Sequence, residues 1–257
     1  MRRYIINADD FGISDDVNEA ISKCFEKGII SNTTVMVNME AALFASNLAS
    51  EKGFKDKVGL HLNLTAGVPL TQGIKGCPLF CRGDGSFNAA FHLSTASRLH
   101  LGKKERMCVR DEIEAQMNRY LALGFKEMHL DSHHHVHTDI AIFSQASELI
   151  KEYGFKTVRL GRNVFGKEKV SAFNRLYKKY LNGRIRKTAE TTAWFGSLED
   201  MLSFNGQTAA EVCEIMVHPL FSDSGDLMDT DRPISDLSDF IADVDAELIS
   251  YSQLIGD

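Results

Sequence analysis

The chain has 257 residues, with 29 Lys and Arg against 35 Asp and Glu, a net charge of −6, and 44% hydrophobic residues. These are the proportions of an ordinary globular protein long enough to bury a large core, and the negative charge argues against a dedicated nucleic-acid binder. No run approaches the 18 apolar residues of a membrane span. The segment "MRRYIINADD" lacks the apolar stretch of a signal peptide, and five Cys are too few for a disulfide scaffold, so a reducing cytoplasm is the expected setting.

In chain order, "RRYIINADD" predicts a first strand. Val17, Ala20, Ile21, Cys24 and Phe25 then mark a helix at the spacing of one helical face, closed by Gly28. "TTVMVN" and "VGLHLN" read as the next two strands. Residues 65–104, with Gly, Pro and "RGDGSF", break the rhythm and read as an insertion on one face. Within it "CPLFC" pairs Cys77 with Cys81, but a zinc knuckle needs a second ligand pair that is absent nearby.

A helix with Ile113, Met117, Tyr120 and Leu121 then ends at Gly124, and "MHLDS" forms the fourth strand. "TVRL" follows, then a helical stripe of Phe173, Leu176, Tyr177, Tyr180 and Leu181 closed by Gly183. "IMVHP" is the last strand, and Phe240, Ile241, Val244, Leu248, Tyr251 and Ile255 predict one closing helix. The phrase "GFK" recurs at Gly53, Gly124 and Gly154, each time between a helix and a strand. Residues 156–187 carry one acid, Glu168, and residues 223–247 one base, Arg232, which reads as two solvated faces able to attract one another.

Strand–helix alternation repeated six or seven times predicts an α/β fold with a parallel sheet inside helices. At this length a (β/α) barrel, or an incomplete TIM-type version of one, fits residues 1–257 as a single domain with an insertion at 65–104.

Ligands in such folds bind beyond the carboxyl ends of the strands. Those ends carry Asp9 and Asp10 in "NADDFG", His61 in "LHLN", the cluster "HLDSHHHVH" from His129 to His137, and His218 in "MVHP". Taken singly, His61 reads as a hydrogen-bonded structural residue, Asp9–Asp10 as a turn or helix cap, and His218 as loop. Five imidazoles within nine residues, converging on one rim with these groups, point to a metal. A carboxylate with two imidazoles leaves coordination positions open for water and substrate, as catalytic sites require. A bend at the end of the first strand would let Asp9 and Asp10 both face the rim. His133 and His137 share a face if a helix begins there, and His129 falls back inside the strand.

The motifs "NADDFG", "GIISNTTVMVN", "GLHLNLTAGVPL", "HLDSHHHVH" and "MVHP", in this order, resemble the YdjC-like carbohydrate deacetylase family, which includes chitooligosaccharide deacetylase. The resemblance implies a barrel-like fold related to polysaccharide deacetylases and a divalent metal, magnesium first. On donor chemistry, zinc or another transition metal is the alternative. It assigns Asp10, His61 and His133 to the metal, Asp9 as the catalytic base and His218 as the general acid. The implied substrate is a small acetylated amino sugar, a chito-oligosaccharide or a related mono- or disaccharide. The resemblance leads one to expect an Arg before the "xxEL" of the tail, where this chain has Val244, which puts a tail contact to substrate or to a second subunit of a homodimer in doubt.

His137, Arg159 and Trp194 are further candidates for substrate contact. Arg159 reads either as a surface ion pair or as a contact for a phosphorylated sugar, and Trp194 either as core or as a surface on which a sugar ring stacks. Two other function classes remain at this level. A metallophosphoesterase needs a second carboxylate-rich ligand set, for which Asp131 and Asp139 are available. A metal- or sugar-binding protein without turnover needs only one of Asp9 and Asp10.

Overall fold

The computed structural model describes residues 2–166, 170–204 and 211–256. The first half runs β1 (Arg2–Phe11), α1 (Asp15–Glu26), β2 (Asn32–Val35), α2 (Ala42–Glu51) and β3 (Val58–Leu62). Three short helices follow, α3 (Gln72–Lys75), α4 (Ala90–Leu93) and α5 (Thr95–Leu99), then α6 (Lys103–Ala122), β4 (His129–Ser132), α7 (Ile140–Glu152) and β5 (Thr157–Val158). The remainder is α8 (Ala172–Ile185), β6 (Trp194–Ser197), α9 (Leu198–Leu202), β7 (Val212–Val217), β8 (Pro219–Phe221), β9 (Leu227–Asp229), β10 (Arg232–Pro233), α10 (Ser235–Asp243), β11 (Ala246–Leu248) and α11 (Tyr251–Gly256).

The main sheet is parallel and curled, in the order β5-β4-β3-β2-β1-β7-β6, an incomplete TIM-type barrel. β1 is central, with Arg3–Ala8 in register with Val212–Val217 of β7, and residues 4–9 are buried. Burial on both faces is why its apolar run is continuous rather than alternating. β8, β9 and β10 form a separate antiparallel sheet beyond the end of β7. No helix in the described residues is long and apolar enough to cross a membrane.

Local chemistry sets the punctuation. Ser14 caps α1 by accepting from the Val17 amide, and Asp15 and Asp16 sit in the positive first turn. Gly28, at φ +66, lets the chain turn back so that the Ile29 amide reaches the Cys24 carbonyl.

Three expectations are corrected. Gly183 lies inside α8 rather than closing it. The stripe on α8 faces the core only in part: Phe173, Leu176 and Tyr180 are exposed, whereas Tyr177 packs against the core and Leu181 is buried there with Asn182 and Ile185. Asn182 anchors that face by donating to the Gly161 carbonyl and accepting from its amide, both at 2.8 Å. The single closing helix is broken into α10, β11 and α11, because Asp245 at φ +49 ends the first helix and residues 246–248 pair in parallel with residues 2–4 of β1.

Residues 65–104 form α3 to α5 around Phe80, Phe87 and Phe91, all buried. Glu112 of α6 fastens this segment by accepting from the amides of Leu70 and Thr71 and the Thr71 hydroxyl. Asp139, ahead of α7, fastens its far end through Arg98 at 2.5 Å and His92 at 2.9 Å. Cys77 and Cys81 are buried free thiols in this cluster, and burial pushes the Cys81 pKa up to about 11.

Candidate metal centre and its carboxylate network

Successive residues of a strand point to opposite faces, so Asp9 and Asp10 share a rim only if the strand bends. Asp10 supplies the bend. It takes the left-handed conformation, at φ +67, and the β1–β2 register slips between Ala8 and Phe11. Asp10 is thereby turned toward two imidazoles: its Oδ1 lies 2.7 Å from His133 Nδ1 and 3.2 Å from His61 Nε2. Donor atoms of Asp10, His61 and His133 all fall within 4.8 Å of one another. One carboxylate and two imidazoles of this spacing fit a divalent cation with open positions.

His61 is held from behind. Its Nδ1 lies 2.7 Å from Asp131 Oδ1 and 3.0 Å from the Thr34 hydroxyl. This is the carboxylate–histidine arrangement that fixes which ring nitrogen faces a metal. Burial works to lower the His61 pKa, but the charge of Asp131 and the bond to Asp10 outweigh it and push it up to about 10. Cation binding at Nε2 is therefore proton-coupled. Asp131 in this role was not assigned from the sequence. The signal was register: Asp131 of β4 pairs with His61 of β3 across the parallel ladder.

Asp9 is buried and locked. Arg159 grips both its oxygens, Nη1 to Oδ2 and Nη2 to Oδ1, each at 2.7 Å, and Asn7 donates to Oδ1 at 2.9 Å. Burial alone would raise the Asp9 pKa; the Arg159 charge and hydrogen bonds, with smaller contributions from His61 and His218, hold it well below the usual carboxylate range. Asp9 therefore stays ionised. Four lone-pair sites on a carboxylate leave room for a further proton donor.

Arg159 itself is fully buried, so the expected surface ion pair is an interior one and its guanidinium does not reach the surface for a phosphate. Besides Asp9 it contacts Asp131 at 2.8 Å and Glu214 through Nε, and it lies 4.8 Å over the Phe195 ring. Tyr251 donates to Glu214 at 2.8 Å and stacks on His129, which lies in the interior as expected. Three carboxylates around one guanidinium make a compact charged core beneath the rim.

The remaining candidates separate. His218 follows β7, half-buried, and its amide donates to Asp229 Oδ1 at 2.8 Å. Asp229, not singled out from sequence, is raised in pKa, first by burial. His133 and His137 do not share a helical face, because His134 and His135 between them are both left-handed, at φ +52 and +55. His137 is fully buried, bonded to Ser132 and, through Nε2, to the Arg159 carbonyl; burial pushes its pKa down to about 4. His134 lies over the His133 ring at 4.0 Å, near the site although the sequence assigned it nothing. Trp194 begins β6, opposite Cys213 rather than His218, and so stands at the far end of the sheet from the rim that carries Asp10, His61 and His133. Asp131 falls within 4.8 Å of Asp9 and His61 as a second, fully buried donor group, but it is paired with His61 and Arg159, and Asp139 is paired with Arg98 and His92.

Residues 3–248 match the family model described as YdjC-like protein. A carbohydrate deacetylase of Clostridium beijerinckii is 34% identical over 232 residues, covering 86% of this chain and 83% of that protein. One from Brevibacillus brevis is 31% identical, covering 98% and 99%. A solved structure from Enterococcus faecalis V583, named for cellobiose-phosphate cleavage, superposes with a TM-score of 0.72 over 98% of both chains. At 23% identity that likeness speaks for the fold.

Proposed function

From the premise that this chain belongs to the YdjC-like family, we propose that it is a metal-dependent carbohydrate deacetylase, hydrolysing the N-acetyl group of an amino sugar such as a short chito-oligosaccharide. The observation that carries this reading is the juxtaposition of Asp10, His61 and His133 with an ionised, immobilised Asp9 at one rim.

Asp10, His61 and His133 would hold the cation. When bound, a divalent ion polarises the acetyl carbonyl and makes a nearby water more acidic. Asp9 accepts the proton of the attacking water at a carboxylate oxygen. Arg159 and Asn7 fix the direction in which that oxygen points, at no reorganisation cost during reaction. The C–N bond breaks only if the amine leaves protonated, and His218 supplies that proton, an effect of about 10²–10⁴-fold. Two imidazoles and a carboxylate suit zinc or another transition ion, whereas the family resemblance implies magnesium. Residues 1–257 act as one catalytic domain on this account, in the cytoplasm, and a homodimer is the assembly to test by light scattering.

Acetate release from diacetylchitobiose, with and without chelator, is the direct test. Chelator-sensitive acetate release with recovery on adding back one ion supports the proposal and identifies the metal. Phosphate release from a sugar phosphate without any acetate release would replace it with an esterase.

A further inference from the structure

A cavity of about 880 Å³ lies at the other end of the sheet from the metal-ligating rim. Arg3, Trp194 and Val212, at the starts of β1, β6 and β7, line it. Along β1, Arg3 is seven residues from Asp10, a separation of about 23 Å at the rise of an extended strand. One wall is α8, which presents Arg175, Lys178, Lys179 and Asn182 on a single face at helical spacing, with Arg186 just beyond its end.

The charge here is inverted relative to the chain. The lining carries five cations and one acid, Glu211, in a protein of net charge −6. Arg175 and Lys179 are one helical turn apart, a like-charge spacing that disfavours the helix on its own. Neither side chain has a partner among the described residues. The wall facing them holds Thr192, which is 2% exposed, and Trp194. The Thr192 hydroxyl and the Trp194 indole N–H have no hydrogen-bond partner among the described residues. Buried polar atoms left without partners are costly, and native proteins keep few of them.

We propose that this cavity binds a phosphate dianion, free or carried by a small organic ester, with Arg175, Lys179 and Arg186 around the phosphate. A single carboxylate is satisfied by one guanidinium. Several cations lining one cavity suit a multiply charged group with three acceptor oxygens. The volume admits a sugar phosphate or a mononucleotide, whose uncharged part would lie against Trp194 and Thr192. This site is separate from the deacetylase rim and stands independently of the function proposed there.

Trp194 is the one Trp of the chain, so its fluorescence reports on this cavity alone. Inorganic phosphate, glucose 6-phosphate and AMP are titrated against the full-length protein, with glucose and adenosine as uncharged controls. The expected result is a saturable fluorescence change with the phosphorylated compounds and none with the controls. The double variant Arg175→Ala/Lys179→Ala, at exposed helix positions, weakens binding at least about tenfold while Tm and acetate release stay unchanged. Equal affinity for all three phosphates assigns the site to free phosphate; tighter binding of either ester assigns it to esters. No saturable change up to about 10 mM of any phosphate, or equal binding by the double variant, overturns the proposal. A response to RNA or anionic vesicles with none to the small phosphates also overturns it.

Discussion

Asp131 stands between His61 and Arg159, 2.7 Å from the imidazole with one oxygen and 2.8 Å from the guanidinium with the other. A single carboxylate thereby connects the group that would hold the metal to the group that orients the base. Asp131→Asn keeps the shape and removes the charge. It is expected to weaken cation affinity about 10–100-fold, read by calorimetric titration of the metal-free protein. Unchanged affinity would mean that Asp10 and Thr34 orient His61 without the Asp131 charge.

Asp9 and His133 are expected to separate chemistry from metal binding. Asp9→Asn should abolish acetate release while one equivalent of metal is retained, measured by elemental analysis. His133→Ala should lose both. An Asp9→Asn protein with near-normal rates on every acetylated sugar would sink the assignment of Asp9 as base.

Arg159 is expected to be a stability residue as much as a positioning one. Arg159→Met leaves Asp9, Asp131 and Glu214 buried around a neutral side chain. Removing one partner from a buried ion network costs about 3–5 kcal/mol, which should appear as a large fall in the urea midpoint. Arg159→Lys restores charge without the two-pronged grip on Asp9, so it should recover stability more than kcat.

If His218 protonates the departing amine, His218→Ala should matter most where that amine is a poor leaving group. The expected loss in kcat is about 10²–10⁴-fold on an acetylated amino sugar and much less on an acetanilide with an electron-withdrawing ring. Equal losses on both would remove His218 from the proton-transfer step.

Glu127 gives a pH test away from the rim. Burial pushes its pKa from the ordinary 4.5 up to about 7, against weaker opposing hydrogen bonds from Ser252 and Asn32. Between those values the folded protein keeps a proton that the unfolded chain has lost. Stability therefore falls as pH rises from about 4.5 to 7, by about 3 kcal/mol, and stays lower above that. Glu127→Gln should flatten this window in urea midpoints measured across pH.

The incomplete barrel and the gathering of Asp10, His61 and His133 at one rim were legible because both depend on short-range signals. Helical stripes before glycines marked the alternation, and Asp9, Asp10, His61 and His218 all sit at strand ends. What stayed hidden depends on register and depth. Arg159 looked like a rim residue because its place at the end of "TVRL" gives no sign that the side chain turns inward. The sequence marks no strand at Trp194, so nothing in it places this residue at the start of β6, away from the rim. Phe173, Leu176 and Tyr180 have the periodicity of a buried face, yet Asn182 and Leu181 decide which face of α8 docks.

The pairing of residues 246–248 with residues 2–4 has a consequence for how the protein is made. A chain emerging from the ribosome presents β1 early, but one neighbour of its opening residues is synthesised more than 240 residues later. Tyr251, which completes the hydrogen bonding of Glu214 in the charged core, arrives later still. Contacts this distant in sequence are the slowest to close. The nascent chain therefore carries Asp9, Asp10, His61, His133 and His218 before the strand and helix beneath them are made, and this centre is fully ordered only after residues 246–251 are free to fold.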